Sequence, residues 1–222
     1  FFSLVVILDY VQRQYTVIER FWCDLHLTDQ LQKSVVLIYG SYSEGTGFFI
    51  SPYEILTNHH VIEGEVSPKI IFADGTFATP VSIVSSKYSD LAMITIAEDR
   101  SDLAFSIPSQ VQWYENERVF AAGYPLGTNL PGKATILEGR LISMRYQPDN
   151  QGRFFQTDIN LVGGMSGGPM VNVCGEVLGI NTLGLSGLSL FIPSDWAKSV
   201  IPIMTDDDIS KIDVDPSSSP EE

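Results

Sequence analysis

Ser166 is the residue of this sequence whose surroundings are best suited to nucleophilic chemistry. It lies in the glycine-rich loop Gly163-Gly164-Met165-Ser166-Gly167-Gly168, between two apolar runs. A serine attacks a carbonyl when a base takes its proton and hydrogen-bond donors stabilise the oxyanion, and glycines let backbone N–H groups come close enough to do so. The loop predicts Ser166 as a nucleophile, with the N–H groups of Gly164 and Ser166 as oxyanion donors. The alternative is a tight glycine turn that carries an incidental serine.

The positions of the histidines restrict the kind of nucleophile loop. The loop also fits the G-x-S-x-G pattern of α/β-hydrolases, in which an acid and then a histidine follow the serine. The sequence has three histidines, His26, His59 and His60, and all of them precede Ser166. The order histidine, aspartate, serine remains, and it is the order found in the chymotrypsin-like double barrel.

The candidate base lies in Thr57-Asn58-His59-His60-Val61, directly after an apolar segment. A histidine at the end of a strand can face a cleft, and imidazole suits general-base work near neutral pH. The alternative for this pair is a structural or surface histidine. From the local sequence alone both interpretations stay open.

The candidate acid is Asp90, which directly precedes the apolar segment Leu91–Ile96. A carboxylate in such surroundings needs a donor, and an imidazole Nδ1–H would supply one, which would fix the tautomer and stabilise the imidazolium. The competing acids are less suitable. Asp74 lies in an Asp-Gly turn, Asp99 and Asp102 lie in a polar segment, and Asp158 is on the same segment as the nucleophile loop.

The segments that must position these residues are predicted to be β-strands. From about residue 35 to residue 193, short apolar runs alternate with Gly, Pro, Asn and Asp, and no long helical period interrupts them. This pattern is typical of an all-β barrel or sandwich. Two of the expected strands of the second half cover residues 134–137 and 139–144. Ser194-Asp195 is expected to cap a last helix that runs to about residue 204.

The N-terminal region, residues 1–30, has two interpretations. The apolar run Phe1–Leu8 is too short to cross a bilayer, which takes about 20 apolar residues, so it is either the remnant of a membrane anchor, which we favour, or part of a buried helix. The stripe of Leu4, Leu8, Val11, Tyr15, Ile18, Trp22 and Leu25 predicts an amphipathic helix. This helix packs on its own domain or serves as an oligomerising segment.

Charge and cysteine content exclude some functions. The net charge of −14 would repel a phosphate backbone, so nucleic-acid binding is not expected. Cys23 and Cys174 show no metal-ligand spacing, and neither a His-x-x-x-His pattern nor paired cysteines are present, so no metal site is expected. The two cysteines form either one bridge or two separate thiols. The acidic residues 206–222 are expected to be a disordered tail.

Several segments, in this order, resemble the protease domain of the HtrA/Deg family of trypsin-like serine proteases between about residues 31 and 204. They are Gly45–Ile50, Ile55–Val61, Ser89–Ala92, Gly123–Gly127, Gly164–Pro169 and Phe191–Ser194. Aligned on the family pattern Thr-Asn-x-His-Val, the base is His60 and not His59. The resemblance implies a serine endopeptidase with the triad His60, Asp90 and Ser166, acting without a cofactor on unfolded or damaged proteins.

The resemblance also implies an architecture. We expect a protease domain over 31–205 made of two six-stranded antiparallel β-barrels, about 31–106 and 113–195, with an N-terminal helix and a short C-terminal helix. A homotrimer is an expectation from the family, as is an extracytoplasmic location, periplasmic or membrane-anchored, which we favour over a cytoplasmic one. The acidic tail stands where many relatives carry a PDZ domain, so regulation by a PDZ module is not implied.

Two further expectations concern the site. By resemblance, the substrate pocket is lined by residues without charge: Asn160, Leu161, Val162, Thr182, Leu183 and Gly184. We therefore predict an apolar residue of small or medium size before the cleaved bond. Met165 stands where the family usually has Asn, so the hydrogen bonds that hold the oxyanion loop would differ. If that loop is collapsed, the alternative is a catalytically silent chaperone or adaptor with a protease fold.

Overall fold

The computed structural model of the chain describes residues 26–100, 103–129, 132–146, 152–185 and 188–204. Helix α1 occupies residues 26–34 of this part. Leu27 and Leu31, four positions apart, lie on one side of this helix, and both are buried in the core cluster. The predicted amphipathic stripe and the acidic tail lie outside the described residues. No described helix has both the length and the apolar composition that a membrane crossing requires.

The first lobe is a sheet of seven antiparallel strands. They are β1 (Val35–Tyr39), β2 (Glu44–Phe49), β3 (Glu54–Thr57), β4 (Lys69–Ile71), β5 (Phe77–Ala78), β6 (Ser82–Ser86) and β7 (Leu91–Thr95), in the order β5-β4-β1-β2-β3-β7-β6. A short helix, α2 (His59–Ile62), follows β3. The uninterrupted apolar sequence of β1 is explained by burial on both faces. Val36 and Ile38 face the core of this lobe, whereas Val35 and Leu37 face the cluster between the lobes.

The second lobe is a closed antiparallel barrel of six strands. They are β8 (Arg118–Gly123), β9 (Thr135–Tyr146), β10 (Arg153–Thr157), β11 (Pro169–Asn172), β12 (Val177–Leu185) and β13 (Leu188–Pro193), in the order β10-β13-β12-β11-β8-β9. Its interior is filled by apolar side chains that alternate along these strands, such as Val119 and Ala121 on β8. The lobes pack against each other through a shared cluster that includes Phe48 and Leu56 from the first and Val171 and Ile180 from the second.

The predicted all-β class and its two antiparallel lobes are confirmed, and the differences are local. The first lobe has seven described strands, and its end strands β5 and β6 do not pair with each other, whereas six strands in a barrel were expected. The prediction of separate strands at 134–137 and 139–144 is wrong, because Gly139 continues the ladder by pairing with Val119. The irregularity lies farther along β9, where Gln156 pairs with Ser143 and Thr157 with Leu141, so that Ile142 is an extra residue in the ladder with β10.

The C-terminal helix begins where the sequence predicts, but it is capped differently. Helix α3 (Ser194–Val200) is followed by the 3-10 turn Ile201–Ile203. The N-cap position is Pro193, without a side-chain cap bond, and Ser194 lies inside the helix with its hydroxyl donating to the Val177 carbonyl at 2.6 Å. This bond fastens the helix to the second barrel. Cys174, just after β11, is disulfide-bonded, and Cys23 lies outside the described residues.

Candidate active site

Three side chains from separate parts of the sequence line one cavity of about 600 Å³. His60 is in α2, directly after β3; Asp90 is the last residue before β7; and Ser166 lies in the loop between β10 and β11. The complete lining is His60, Tyr88, Ser89, Asp90, Arg153, Phe154, Leu161, Val162, Gly163, Ser166, Thr182, Leu190, Ile192 and Trp196. The cavity therefore lies where the two lobes meet.

His60 and Asp90 are in direct polar contact in this cavity. The Nδ1 atom of His60 is 2.9 Å from both carboxylate oxygens of Asp90, and the His60 N–H donates to Asp90 Oδ1 at 3.1 Å. Because a carboxylate only accepts, Nδ1 carries the proton, and Nε2 of a neutral ring is left as an acceptor. His59 points elsewhere, with its Nδ1 atom 3.1 Å from Ser85 Oγ. The structure thus brings His60, and not its neighbour, to the carboxylate.

The backbone of Asp90 adopts a left-handed conformation, with φ of 51°, which is uncommon for a residue other than glycine. Asn58, which is fully buried, donates from Nδ2 to the Asp90 carbonyl at 2.9 Å and so holds this backbone. The Thr182 hydroxyl donates to Asp90 Oδ2 at 2.8 Å. Burial raises the pKa of the Asp90 carboxyl, but the hydrogen bonds and charge of His60, with the Thr182 hydroxyl, outweigh it. The pKa of Asp90 is therefore lowered, which keeps it ionised at neutral pH.

The Ser166 hydroxyl faces the same cavity but is bonded to a backbone carbonyl. Its Oγ atom donates to the Thr182 carbonyl at 3.4 Å, near the limit for a hydrogen bond. Within the described residues, Oγ makes no hydrogen bond to His60. Catalytic hydrogen bonds are often long or misaligned before substrate binds, and a rotation about the Cα–Cβ bond redirects the hydroxyl.

The peptide between Gly163 and Gly164 has a defined orientation. The Gly163 carbonyl accepts a hydrogen bond of 3.0 Å from the Leu126 N–H. In a trans peptide the C=O and N–H groups point in opposite directions, so the Gly164 N–H points away from Leu126. Gly164 has φ of 91°, and a Cβ atom at this position would collide with the Tyr124 carbonyl. Glycine is required here for both reasons.

The peptide between Met165 and Ser166 is oriented in the same manner. The Met165 carbonyl accepts from Nδ2 of Asn181 at 2.9 Å and from the Gly168 N–H at 3.2 Å. Among the described residues, neither the Gly164 N–H nor the Ser166 N–H donates to another protein group. Both predicted oxyanion donors therefore lack a protein acceptor in this part of the chain, and of the two residues only Ser166 is among those that line the cavity.

Met165 anchors the loop by apolar packing. Its side chain has 0% exposure and belongs to the core cluster of the second barrel, with Leu161, Met170 and Phe191. A flexible thioether fills an irregular space of this kind well. In this chain the loop is thus held by a buried side chain at the position where the related family usually has Asn.

Thr46, on β2 of the first lobe, connects that lobe to the nucleophile loop. Its N–H donates to the Ser166 carbonyl at 2.8 Å, and its hydroxyl donates to the Gly164 carbonyl at 2.7 Å. The same hydroxyl accepts from the Tyr124 N–H at 3.0 Å. The loop conformation therefore depends on both lobes. The sequence placed Thr46 in a motif of the resemblance but did not indicate this role.

The residues predicted to line the substrate pocket are only partly found in the cavity. Leu161, Val162 and Thr182 line it, whereas Asn160 is exposed and is not part of the described lining. The backbones of Leu183 and Gly184 continue β12 and pair with Leu190 and Ser189. Sequence reasoning missed Phe154, Leu190, Ile192, Trp196 and Arg153. For two of these residues the sequence did contain a signal, because Leu190 and Ile192 are two positions apart on β13 and therefore lie on the same face of the strand.

Arg153 brings a positive charge to the cavity wall, but this charge is compensated. Its Nη2 atom is 2.7 Å from Oδ2 of Asp195 in α3, and both side chains are partly buried. The remaining wall is mostly apolar, formed by Phe154, Leu161, Leu190 and Ile192. In the described part of the chain, no group of three or more His, Cys, Asp or Glu residues could hold a metal ion.

An antiparallel sheet lobe beside a closed six-stranded barrel, with histidine, aspartate and serine at the seam, defines the class of chymotrypsin-like proteins. Comparison with known proteins agrees. Residues 45–180 match the model of the trypsin-like peptidase domain, and the chain belongs to this family. The predicted resemblance to HtrA/Deg proteases is confirmed.

The chain is also similar to individual proteins of this kind. The chain is 33% identical over 156 residues to the serine protease Do-like HtrA of Bacillus subtilis, a match that covers 66% of this chain and 35% of that protein. It is 34% identical over 172 residues to a probable periplasmic serine endoprotease, DegP-like, of Hahella chejuensis, covering 74% and 36%. The crystal structure of the serine endoprotease from Yersinia pestis matches with a TM-score of 0.70 and 27% identity, covering 81% of this chain and 65% of that one. The chain thus spans about a third of the length of these curated relatives.

Proposed function

We propose that this chain is a serine endopeptidase with His60, Asp90 and Ser166 as its catalytic triad. The observation that carries the proposal is the contact of His60 Nδ1 with both Asp90 oxygens at 2.9 Å, in a cavity that Ser166 also lines. This contact leaves Nε2 of His60 free to accept a proton from a nucleophile in the cavity. The family membership supports the same reaction class.

The proposed reaction begins when His60 Nε2 takes the proton of Ser166 Oγ as that oxygen attacks the carbonyl carbon of a peptide bond. The carbonyl oxygen becomes an oxyanion and accepts hydrogen bonds from the Gly164 and Ser166 N–H groups, which have no other described acceptor. The C–N bond then breaks, and the leaving amine takes the proton from the imidazolium. A water molecule, deprotonated by His60, then attacks the acyl-enzyme carbonyl; the ester bond to Ser166 Oγ breaks, the imidazolium returns its proton to that oxygen, and the acid is released.

A fluorophosphonate probe tests this proposal directly. Because the reagent phosphonylates a serine only when it is activated, we expect covalent labelling of the folded wild type at Ser166, identified by peptide mass mapping. A heat-denatured sample is the control and should not react. A folded wild type that stays unlabelled would support the alternative function of a silent adaptor, in which the Ser166 hydroxyl keeps its contact with the Thr182 carbonyl.

The proposed specificity is for an apolar residue before the cleaved bond. Leu161, Val162 and Phe154 form apolar walls beside Ser166, and the charge of Arg153 is compensated by Asp195. In a panel of short peptides that differ only at this residue, we expect higher kcat/KM for Val, Ala and Leu than for Lys, Arg or Glu. A preference for any of these charged residues would contradict the proposal.

The biological setting is proposed from the relatives. The Hahella protein is named as a probable periplasmic protease, and for this chain we propose an extracytoplasmic location and unfolded or damaged proteins as substrates. We further propose a protease domain over residues 31–205 and a homotrimer. Protein or peptide substrates are the expected partners, with neither nucleic acid nor a cofactor involved.

A further inference from the structure

We infer that Asn181 is a positioning residue that orients the Ser166 N–H for the oxyanion, an inference that rests on the proposed endopeptidase function. Asn181 is on β12 and is fully buried. Its Nδ2 atom donates to the Met165 carbonyl at 2.9 Å and to the Ala122 carbonyl of β8 at 3.0 Å. One amide group thus connects the nucleophile loop to a strand of the closed barrel.

The backbone of Asn181 binds the same loop. Its N–H donates to the Gly168 carbonyl at 2.8 Å, and its carbonyl accepts from the Gly167 N–H at 2.8 Å. These two bonds involve only the backbone, so they persist when the side chain is replaced. The contribution of the side-chain amide can therefore be separated from that of the strand itself.

The chemistry of the site favours an amide here. Two carbonyl oxygens need two donors from one point, and an –NH₂ group supplies both. The flipped amide would place Oδ1 against two oxygens, so the assigned orientation is the favourable one. Oδ1 itself is buried without a hydrogen-bond partner among the described residues. An unpaired buried oxygen destabilises the folded protein, and a leucine of similar size would have no such oxygen. The advantage of asparagine over leucine at position 181 is therefore its pair of N–H donors.

The effect on catalysis follows from peptide planarity. The Met165 carbonyl and the Ser166 N–H belong to one trans peptide, so the bond from Nδ2 determines where the N–H points. Without Nδ2 the carbonyl keeps only the Gly168 N–H at 3.2 Å, and the peptide can rotate. A less well-aimed donor weakens binding of the oxyanion more than binding of the ground-state substrate, because charge develops only in the transition state.

The test compares Asn181→Leu and Asn181→Ser with Asn172→Ala as a matched control. Asn172 is another largely buried asparagine of the same barrel, but it binds Glu176 and Cys174 in the β11–β12 turn. We expect Asn181→Leu to lower kcat by about 10-fold to 100-fold, with KM within about 2-fold, since losing a whole oxyanion donor costs about 10²–10³ in kcat. Affinity for a peptide boronate should fall by the same factor. Asn181→Ser has a hydroxyl one bond shorter than the amide, which stops short of both carbonyls, so it should lower kcat to a similar extent.

Asn172→Ala should lower the melting temperature and leave kcat per active site unchanged, with active sites counted by fluorophosphonate titration. The inference is overturned if Asn181→Leu keeps kcat within about 2-fold of the wild type, if its loss is in KM, or if Asn172→Ala loses kcat equally. If Asn181→Leu does not fold, Asn181→Ser decides by the same criteria. An inactive wild type would instead refute the proposed function, so the two failures are distinguishable.

Discussion

Replacement of Ser166 by alanine is expected to lower kcat by about 10⁶-fold and to abolish fluorophosphonate labelling, because the triad acts as a unit around the serine oxygen. Without Oγ no acyl-enzyme forms, and the residual rate comes from water attacking a bound and polarised carbonyl. The measurement is kcat with a fluorogenic peptide, with binding of the same peptide followed separately. Binding should change little, since Oγ contacts the Thr182 carbonyl and contributes little packing.

Ser143→Ala is a suitable control for this loss. Ser143 lies on β9 of the same barrel, contacts Gln156 at 3.4 Å and is not among the residues that line the cavity. Its removal should leave both kcat and labelling at the wild-type level. If Ser166→Ala retained more than about one hundredth of the wild-type rate, another group would be the nucleophile, since a triad serine contributes far more.

Replacement of Asp90 by asparagine is expected to lower kcat by about 10⁴-fold, as loss of the equivalent acid does in such triads. The asparagine amide presents a donor as well as an acceptor to His60 Nδ1, so the tautomer with a free Nε2 is no longer favoured. The negative charge that stabilises the imidazolium is also lost. The measurement is kcat at neutral pH, and Asp99→Asn, at a rival acid of the sequence that contacts Tyr53, should keep full activity.

The pKa of Asp90 adds a test that does not depend on activity. Because the folded-state pKa is below the ordinary value of 3.8, the carboxylate contributes stability above that pH, and the contribution is lost as the pH falls through the lower folded value. The free energy of unfolding of the wild type minus that of Asp90→Asn should therefore decrease on acidification from about pH 5 to about 3, the range in which carboxyl groups titrate. A difference that grows in this range would contradict the assigned His60 and Thr182 contacts.

Much of the fold and the central site residues could be predicted from the sequence, because their signals are local. Short apolar runs between turn residues indicate strands, and a polar residue directly beside such a run lies at a strand end. This reasoning singled out the pair His59 and His60 after β3, Asp90 before β7 and Ser166 in its glycine loop, whereas the choice of His60 over His59 came from the family resemblance. The apolar packing of Met165 was not predicted, because nothing local to Met165 indicates that the barrel core has room for its side chain.

By itself, then, the sequence determined the all-β class, the order of the three chemical groups and the glycines that their loop requires. Only the tertiary structure decided which distant groups orient them. The Thr182 hydroxyl reaches Asp90 across 92 positions, and Thr46 reaches the Gly164 carbonyl across 118. The physical reason is that a hydrogen bond depends on distance and direction to within a fraction of an ångström. Strand register and lobe packing determine these quantities, whereas no residue type or spacing along the chain records them.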